Sequence, residues 1–63
     1  MWKIGSSGNG VTIIQILLCA RGIVIAQDGV FGPKTLDAVK RFQTMKNLTA
    51  DGVVGPLTWT ALL

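Results

Sequence analysis

The segment DGVFGPKTLDAV, Asp28–Val39, returns as DGVVGPLTWTAL, Asp51–Leu62, so the chain carries the pattern D-G-V-x-G-P-x-T-x-x-A twice. Each residue type in it has a mechanical reason to begin a helix. An aspartate side chain accepts hydrogen bonds from backbone N–H groups just ahead of it, as in an Asx turn. Gly29, Gly32, Gly52 and Gly55 allow backbone angles that other residues resist. Pro33 and Pro56 stand at the first helical position, where a missing N–H costs nothing. Val30 or Phe31, and Val53 or Val54, turn inward. A weaker echo links VTIIQ, Val11–Gln15, with VKRFQ, Val39–Gln43. With only 63 residues available, the repeat points to two helix–loop–helix units that share a middle helix and bury one core between them.

The rest of the chain fits that frame. A first helix starts near Ser7 or Gly8, with Ser7 as N-cap, and runs to about Arg21. Gly22 supplies a left-handed C-cap, and Ile23 folds back onto Leu18 as in a Schellman ending. The second helix starts at Pro33 and turns Ala38, Val39, Phe42 and Met45 to one face. Asp37 and Arg41 form an i, i+4 pair on the opposite face. Asn47 is the best non-glycine choice for its left-handed C-cap, with Leu48 closing onto Phe42. The third helix is short, Pro56 to about Leu62. No strand of convincing length remains. The expected fold is all-α, a compact three-helix bundle with two quasi-repeated helix-starting turns, and residues 1–63 form a single domain.

Such a short chain buries only ~60% of its unfolded surface and stands near the lower limit for folding unaided. It has the material to do so, since 49% of its residues are hydrophobic. Cys19 is alone, which excludes an internal disulfide, and the absence of His and Glu argues against structural zinc. No cofactor is expected. Val11–Ala20 is mostly apolar but about half the length of a membrane span, and MWKIGSSGNG lacks the apolar run of a signal peptide. The net charge of +3 suits an anionic partner without choosing one.

No catalytic set is visible. Serines and threonines have no His or Glu to serve as base, Asp28 and Asp51 belong to their turns, and Asp37 belongs to an exposed helix face. Cys19 reads as a small apolar filler. Trp59 has two readings: a stacking face for a sugar ring, or a lid on the core, the second being the commoner use of a large aromatic in a small domain. Trp2 caps the core from the N-terminus. Gln15 and Gln43 each follow an apolar core residue and are placed to satisfy the backbone of a neighbouring loop. Arg21, Lys34, Lys40, Arg41 and Lys46 are expected to be solvated surface.

Three motifs in register identify a relationship. They are G-S-S-G-x-x-V-x-x-I-Q-x-x-L-x-x-x-G, then D-G-x-F-G-P-x-T-x-x-A-V-x-x-F-Q, then N-L-x-x-D-G-V-V-G-P-x-T-W-x-x-L. From about Trp2 to Leu63 the chain resembles the peptidoglycan-binding-like domain, a three-helix module appended to bacterial and phage cell-wall hydrolases such as endolysins and autolysins. The resemblance implies a non-enzymatic module that binds bacterial peptidoglycan and holds a cell-wall hydrolase catalytic domain against its substrate, outside the cell or in its envelope. Similar folds also serve as pro-segments of extracellular metalloproteases.

Three positions depart from the pattern. Asn47 replaces the usual glycine, which its C-cap role accommodates. Gly10 replaces an acidic cap residue, leaving the start of the first helix weakly held. The outer face of that helix carries Ile13, Ile16 and Leu17 where charges are usual. Those three are the expected surface for a partner domain or a second copy. A ligand groove is expected in the loops 25–34 and 47–59, with Gln27, Asp28, Lys34 and Trp59 as contacts. Two alternatives compete. A protein-interaction module or pro-segment would use the apolar face of the first helix. A nucleic-acid-binding domain draws support from the positive charge, but the third helix has no Lys, Arg, Asn or Gln with which to read bases, so no nucleic-acid partner is expected.

Overall fold

Three helices form in the computed structural model, which describes residues 1–63: α1, Asn9–Ala20; α2, Pro33–Met45; and α3, Pro56–Leu62. There is no strand, only two isolated bridges, Trp2 with Val54 and Ser7 with Val30. The all-α three-helix architecture is as the repeat implied.

The helix ends show which local rules govern. Pro33 and Pro56 begin α2 and α3, each behind an extended glycine. At the end of α1, the Gly22 N–H donates to the Cys19 carbonyl and the Ile23 N–H to that of Leu18, both at 3.0 Å. At the end of α2, Asn47 donates to Thr44 at 3.1 Å and Leu48 to Gln43 at 2.8 Å. Both are complete Schellman endings. Asn47 is the only non-glycine residue with positive φ, at 58°.

The start of α1 differs from expectation. Ser7 is not its N-cap. Gly8 holds that position at φ 111°, without a side-chain cap. Instead the Gly8 N–H donates to the Gly29 carbonyl at 2.9 Å, tying the helix start to the first repeated turn. Gly10 also has a packing reason to be glycine: a Cβ there would collide with the indole of Trp2.

The core joins Val11, Ile14 and Leu18 of α1, Ala38, Val39 and Phe42 of α2, Leu62 of α3, and Phe31 and Val54 from the repeated turns. Each fully buried side chain of this kind is worth about 1.5–3 kcal/mol relative to exposure. Met45 is not on the buried face of α2, being 59% exposed. It lies in the last turn, and Thr35 and Gln43 are buried on α2 in addition to the apolar residues. In the turns, Phe31 and Val54 are the inward residues, while Val30 is exposed and Val53 half-buried.

The N-terminal arm, residues 1–7, laces the two turns together. Trp2 and Val54 exchange both backbone hydrogen bonds, and Phe31 pairs with Gly5 and Ser6. Phe31 and Val54 occupy the same place in the two repeats, so one arm is hydrogen-bonded to equivalent residues of both units.

Candidate functional site

The repeated turns are organised around two buried glutamines. Gln15 Nε2 donates to Asp28 Oδ1 at 3.0 Å, to the Val30 carbonyl at 3.1 Å and to Thr35 Oγ1 at 3.1 Å. Its Oε1 accepts from the Gly29 N–H at 2.9 Å. Asp28 Oδ1 also accepts from the Val30 N–H at 3.0 Å, closing the Asx turn. Gln43 repeats the arrangement in the second unit: Asp51 Oδ1 at 3.0 Å, the Val53 carbonyl at 3.0 Å, Thr58 Oγ1 at 3.1 Å, and the Gly52 N–H at 3.0 Å. The Val53 N–H closes the second Asx turn at 2.9 Å. An amide has two donor hydrogens, so three acceptors share them, and the orientation of each amide is fixed by its partners. No buried side-chain nitrogen or oxygen is left without a partner.

Each D-G-V-x-G-P-x-T motif is therefore one half of a clasp, and a glutamine from the preceding helix is the other half. The glycine after each aspartate takes a left-handed conformation, φ 73° at Gly29 and 75° at Gly52. That conformation is what presents its N–H to the glutamine oxygen. Hydrogen bonds from the backbone of Val30 and from Gln15 hold the Asp28 carboxyl below its ordinary range. Asp51 is lowered in the same way by Val53 and Gln43. Thr35 and Thr58 were not singled out by sequence reasoning. Their signal was present, as the threonine common to both copies of the motif.

Beside each clasp lies a cleft. The first, of about 300 Å³, is lined by Ile25, Ala26, Asp28, Val30, Gly32, Pro33, Lys34 and Thr35. The second, of about 260 Å³, is lined by the corresponding residues Leu48, Thr49, Asp51, Val53, Gly55, Pro56, Leu57 and Thr58, with Met1 added. The one chemical difference in the motif's own contribution is Lys34 against Leu57. A larger open groove of about 800 Å³ belongs to the first unit alone, between the segment 22–26 and Pro33, Lys34, Asp37, Ala38 and Arg41. Asp37 and Arg41 are paired across its α2 wall at 3.1 Å.

The four expected contact residues are dispersed. Asp28 and Lys34 share the first cleft, and Lys34 also lines the larger groove. Gln27 is exposed and lines neither. Trp59 is half-buried against the core and stacked on Trp2, with ring centroids 5.2 Å apart and planes at 24°. Ile13 and Ile16 are each 46% exposed, whereas Leu17 is half-buried and packs on the core. Arg41 and Asp37, read in the sequence only as a surface pair, are groove residues. Their spacing from Lys34, about one turn along α2 for Asp37 and two for Arg41, was the available clue. Cys19 Sγ donates to the Ile25 carbonyl at 3.4 Å, and Arg21 Nη2 to the Leu62 carbonyl at 3.1 Å, so both are tied into the structure.

A family model described as "Putative peptidoglycan binding domain" matches residues 7–62. The zinc D-Ala-D-Ala carboxypeptidase of Streptomyces albus G is 44% identical, over 92% of this chain and 24% of that protein. A peptidoglycan-binding protein from Clostridioides difficile has a similar structure, with a TM-score of 0.95 and 43% identity over 97% of this chain and 39% of that one. The SleB N-terminal domain superposes with a TM-score of 0.94 and 35% identity, over 97% of this chain and 85% of that one. The chain thus spans about a quarter of the length of the carboxypeptidase it resembles.

Proposed function

Because the chain belongs to the peptidoglycan-binding domain family, we propose that it binds the peptidoglycan of bacterial cell walls without cleaving it. It holds an attached or partner cell-wall hydrolase against its substrate, at the cell surface or in the envelope. The observation that carries this reading is the family match itself, which runs through all three helices and both clasps. The module's contribution is effective concentration. Tethering converts the enzyme's encounter with the wall into an intramolecular event, worth up to millimolar local concentration for a short linker.

The residues present favour binding over chemistry. Asp28 and Asp51 each commit an oxygen to a clasp, and Asp37 is paired with Arg41. No carboxylate stands poised beside a nucleophile, and the sequence has no His or Glu. Ligand contact is assigned to the first unit, where Lys34 brings charge to both the cleft and the groove. Trp59, engaged with Trp2, acts in the core.

The test is co-sedimentation with purified sacculi, stripped of anionic polymers or unstripped, at low and high salt. Retention on stripped sacculi at high salt is the expected result. Retention only on unstripped sacculi at low salt would reduce the interaction to screened charge attraction.

A second reading is favoured by one observation: α1 has no charged residue, and Ile13 and Ile16 stand outward one turn apart. This face would dock a partner domain or a second copy. Sedimentation velocity decides the second-copy case: a concentration-dependent dimer abolished by Ile16→Lys supports it, and a monomer at high concentration rules it out.

A further inference from the structure

The two units share their clasps but differ in the chain that leads into them. Asp28 lies thirteen positions after Gln15, whereas Asp51 lies eight after Gln43. Part of the additional chain lengthens α1. The rest enters the segment from Ile23 to Gln27, which runs without regular structure from the C-cap of α1 to the first clasp. The backbone N–H groups of Val24, Ile25, Ala26 and Gln27 donate to no protein acceptor. Of the carbonyls in this stretch, only that of Ile25 accepts a bond, from Cys19 Sγ. The counterpart in the second unit, Leu48 to Ala50, is shorter and closes on itself, Asp51 N–H to the Thr49 carbonyl at 3.0 Å.

The first segment thus offers a run of unused backbone donors and acceptors along one wall of the 800 Å³ groove. The opposite wall carries Lys34, whose ammonium has no carboxylate partner, and Arg41, which shares its charge with Asp37. A run of solvent-facing backbone groups free of protein partners is suited to pair with another extended chain, and such pairing supplies affinity through main-chain hydrogen bonds. The lysine suits a carboxylate. A sugar ring would instead call for an exposed aromatic face, and the groove has none. The chain's aromatics are Phe31 and Phe42, both buried, and Trp2 and Trp59, stacked on each other.

Resting on the wall-binding reading above, we infer that this groove takes an extended peptide with a free carboxylate. In a cell wall that is the stem peptide, and the glycan strand is not the ligand. The peptide backbone pairs along Val24–Ala26 and its carboxylate meets Lys34. The second unit, with Leu57 in place of Lys34 and only the N–H groups of Thr49 and Ala50 free in its shorter connection, has no equivalent site.

The experiment is an amide NMR titration of the isotopically labelled chain with a synthetic stem pentapeptide and, separately, with peptide-free glycan oligomers. Sacculus pelleting is measured on the same sample. The expected result is peptide-induced shifts of the amides of Val24 to Ala26 and of Lys34, with none from the glycan. Lys34→Glu should weaken peptide binding about five- to tenfold, since an exposed ion pair is being replaced by repulsion. Pelleting without shifts at these amides, or shifts there from glycan alone, would overturn the peptide assignment and leave wall binding standing. Absence of both pelleting and shifts would overturn wall binding itself.

Discussion

At the scale of single residues, Gln15 and Gln43 decide the fold more than any polar group. Each is fully buried and serves four partners at once. Gln15→Leu keeps the volume but strands the buried Gly29 N–H and takes one donor each from Asp28, the Val30 carbonyl and Thr35. A buried group left unsatisfied costs about 1–3 kcal/mol, in a domain whose whole stability is on the order of 3–9 kcal/mol by the usual per-residue scale. Urea denaturation should show a large fall in midpoint for Gln15→Leu and a comparable fall for Gln43→Leu. Gln15→Glu should be worse, because a second carboxylate would face Asp28 across 3.0 Å. Matching midpoints for Gln15→Leu and the parent would refute the clasp. The role of these glutamines was legible in the sequence as side chains reaching a loop backbone. Their threonine partners were not, because a threonine on an amphipathic helix looks like surface until its depth is known.

The aspartates of the clasps make stability depend on pH. Both carboxyls are depressed, first by a backbone N–H and then by the glutamine amide. A carboxylate with a lowered folded pKa contributes its full stabilisation above the unfolded value of about 3.9. That contribution is lost as pH falls from there through the folded value. The melting temperature should therefore drop on acidification below about pH 4. The Asp28→Asn, Asp51→Asn double variant should be less stable at neutral pH and flatter across the same acid range. An unchanged acid slope in the double variant would locate the dependence elsewhere.

At the scale of elements, the helices were readable where local chemistry fixes them and obscure where tertiary contact does. Pro33, Pro56, Gly22 and Asn47 act within a few residues of themselves, and α2, α3 and both Schellman endings fall where they indicate. The start of α1 depends on Gly29 and Trp2, distant in sequence or in a different element, and a nearby serine gave the wrong cap. Met45 fits the apolar period of α2 but lies past the point where the core ends, so periodicity alone placed it inward. Gly10 supplies a test at this scale. In an ordinary helix, Gly→Ala stabilises by about 0.5–1 kcal/mol. Here the added methyl would meet the Trp2 indole, so Gly10→Ala should lower the melting temperature and perturb tryptophan fluorescence. In a Trp2→Ala background the same change should become neutral or stabilising. A stabilising Gly10→Ala in the parent would show that the arm does not pack as described.

At the scale of the whole molecule, the duplicated parts are scaffold, and the proposed ligand surface is the part that is not duplicated. The chain is tightly folded, with a radius of gyration of 9.9 Å against about 10.6 Å expected for its length. Two equivalent clasps and one arm pin three helices around one core, which is how so short a chain holds together without disulfide or metal. Recognition is proposed for what is not duplicated: the longer connection of the first unit, Lys34 and the groove. The repeat was the most visible feature of the sequence, and it proved to be architecture. The groove was less visible because it arises from unpaired backbone and from added chain length, neither of which marks itself by residue type. The central claim is that binding belongs to this non-repeated face. The most direct measurement is the sacculus-binding isotherm of Lys34→Glu/Arg41→Glu beside the charge-matched Lys3→Glu/Lys46→Glu, whose sites lie outside the groove. Selective loss of binding in the first variant is the predicted result. Equal loss in both would mean that net charge alone draws the chain to the wall, and would contradict the account.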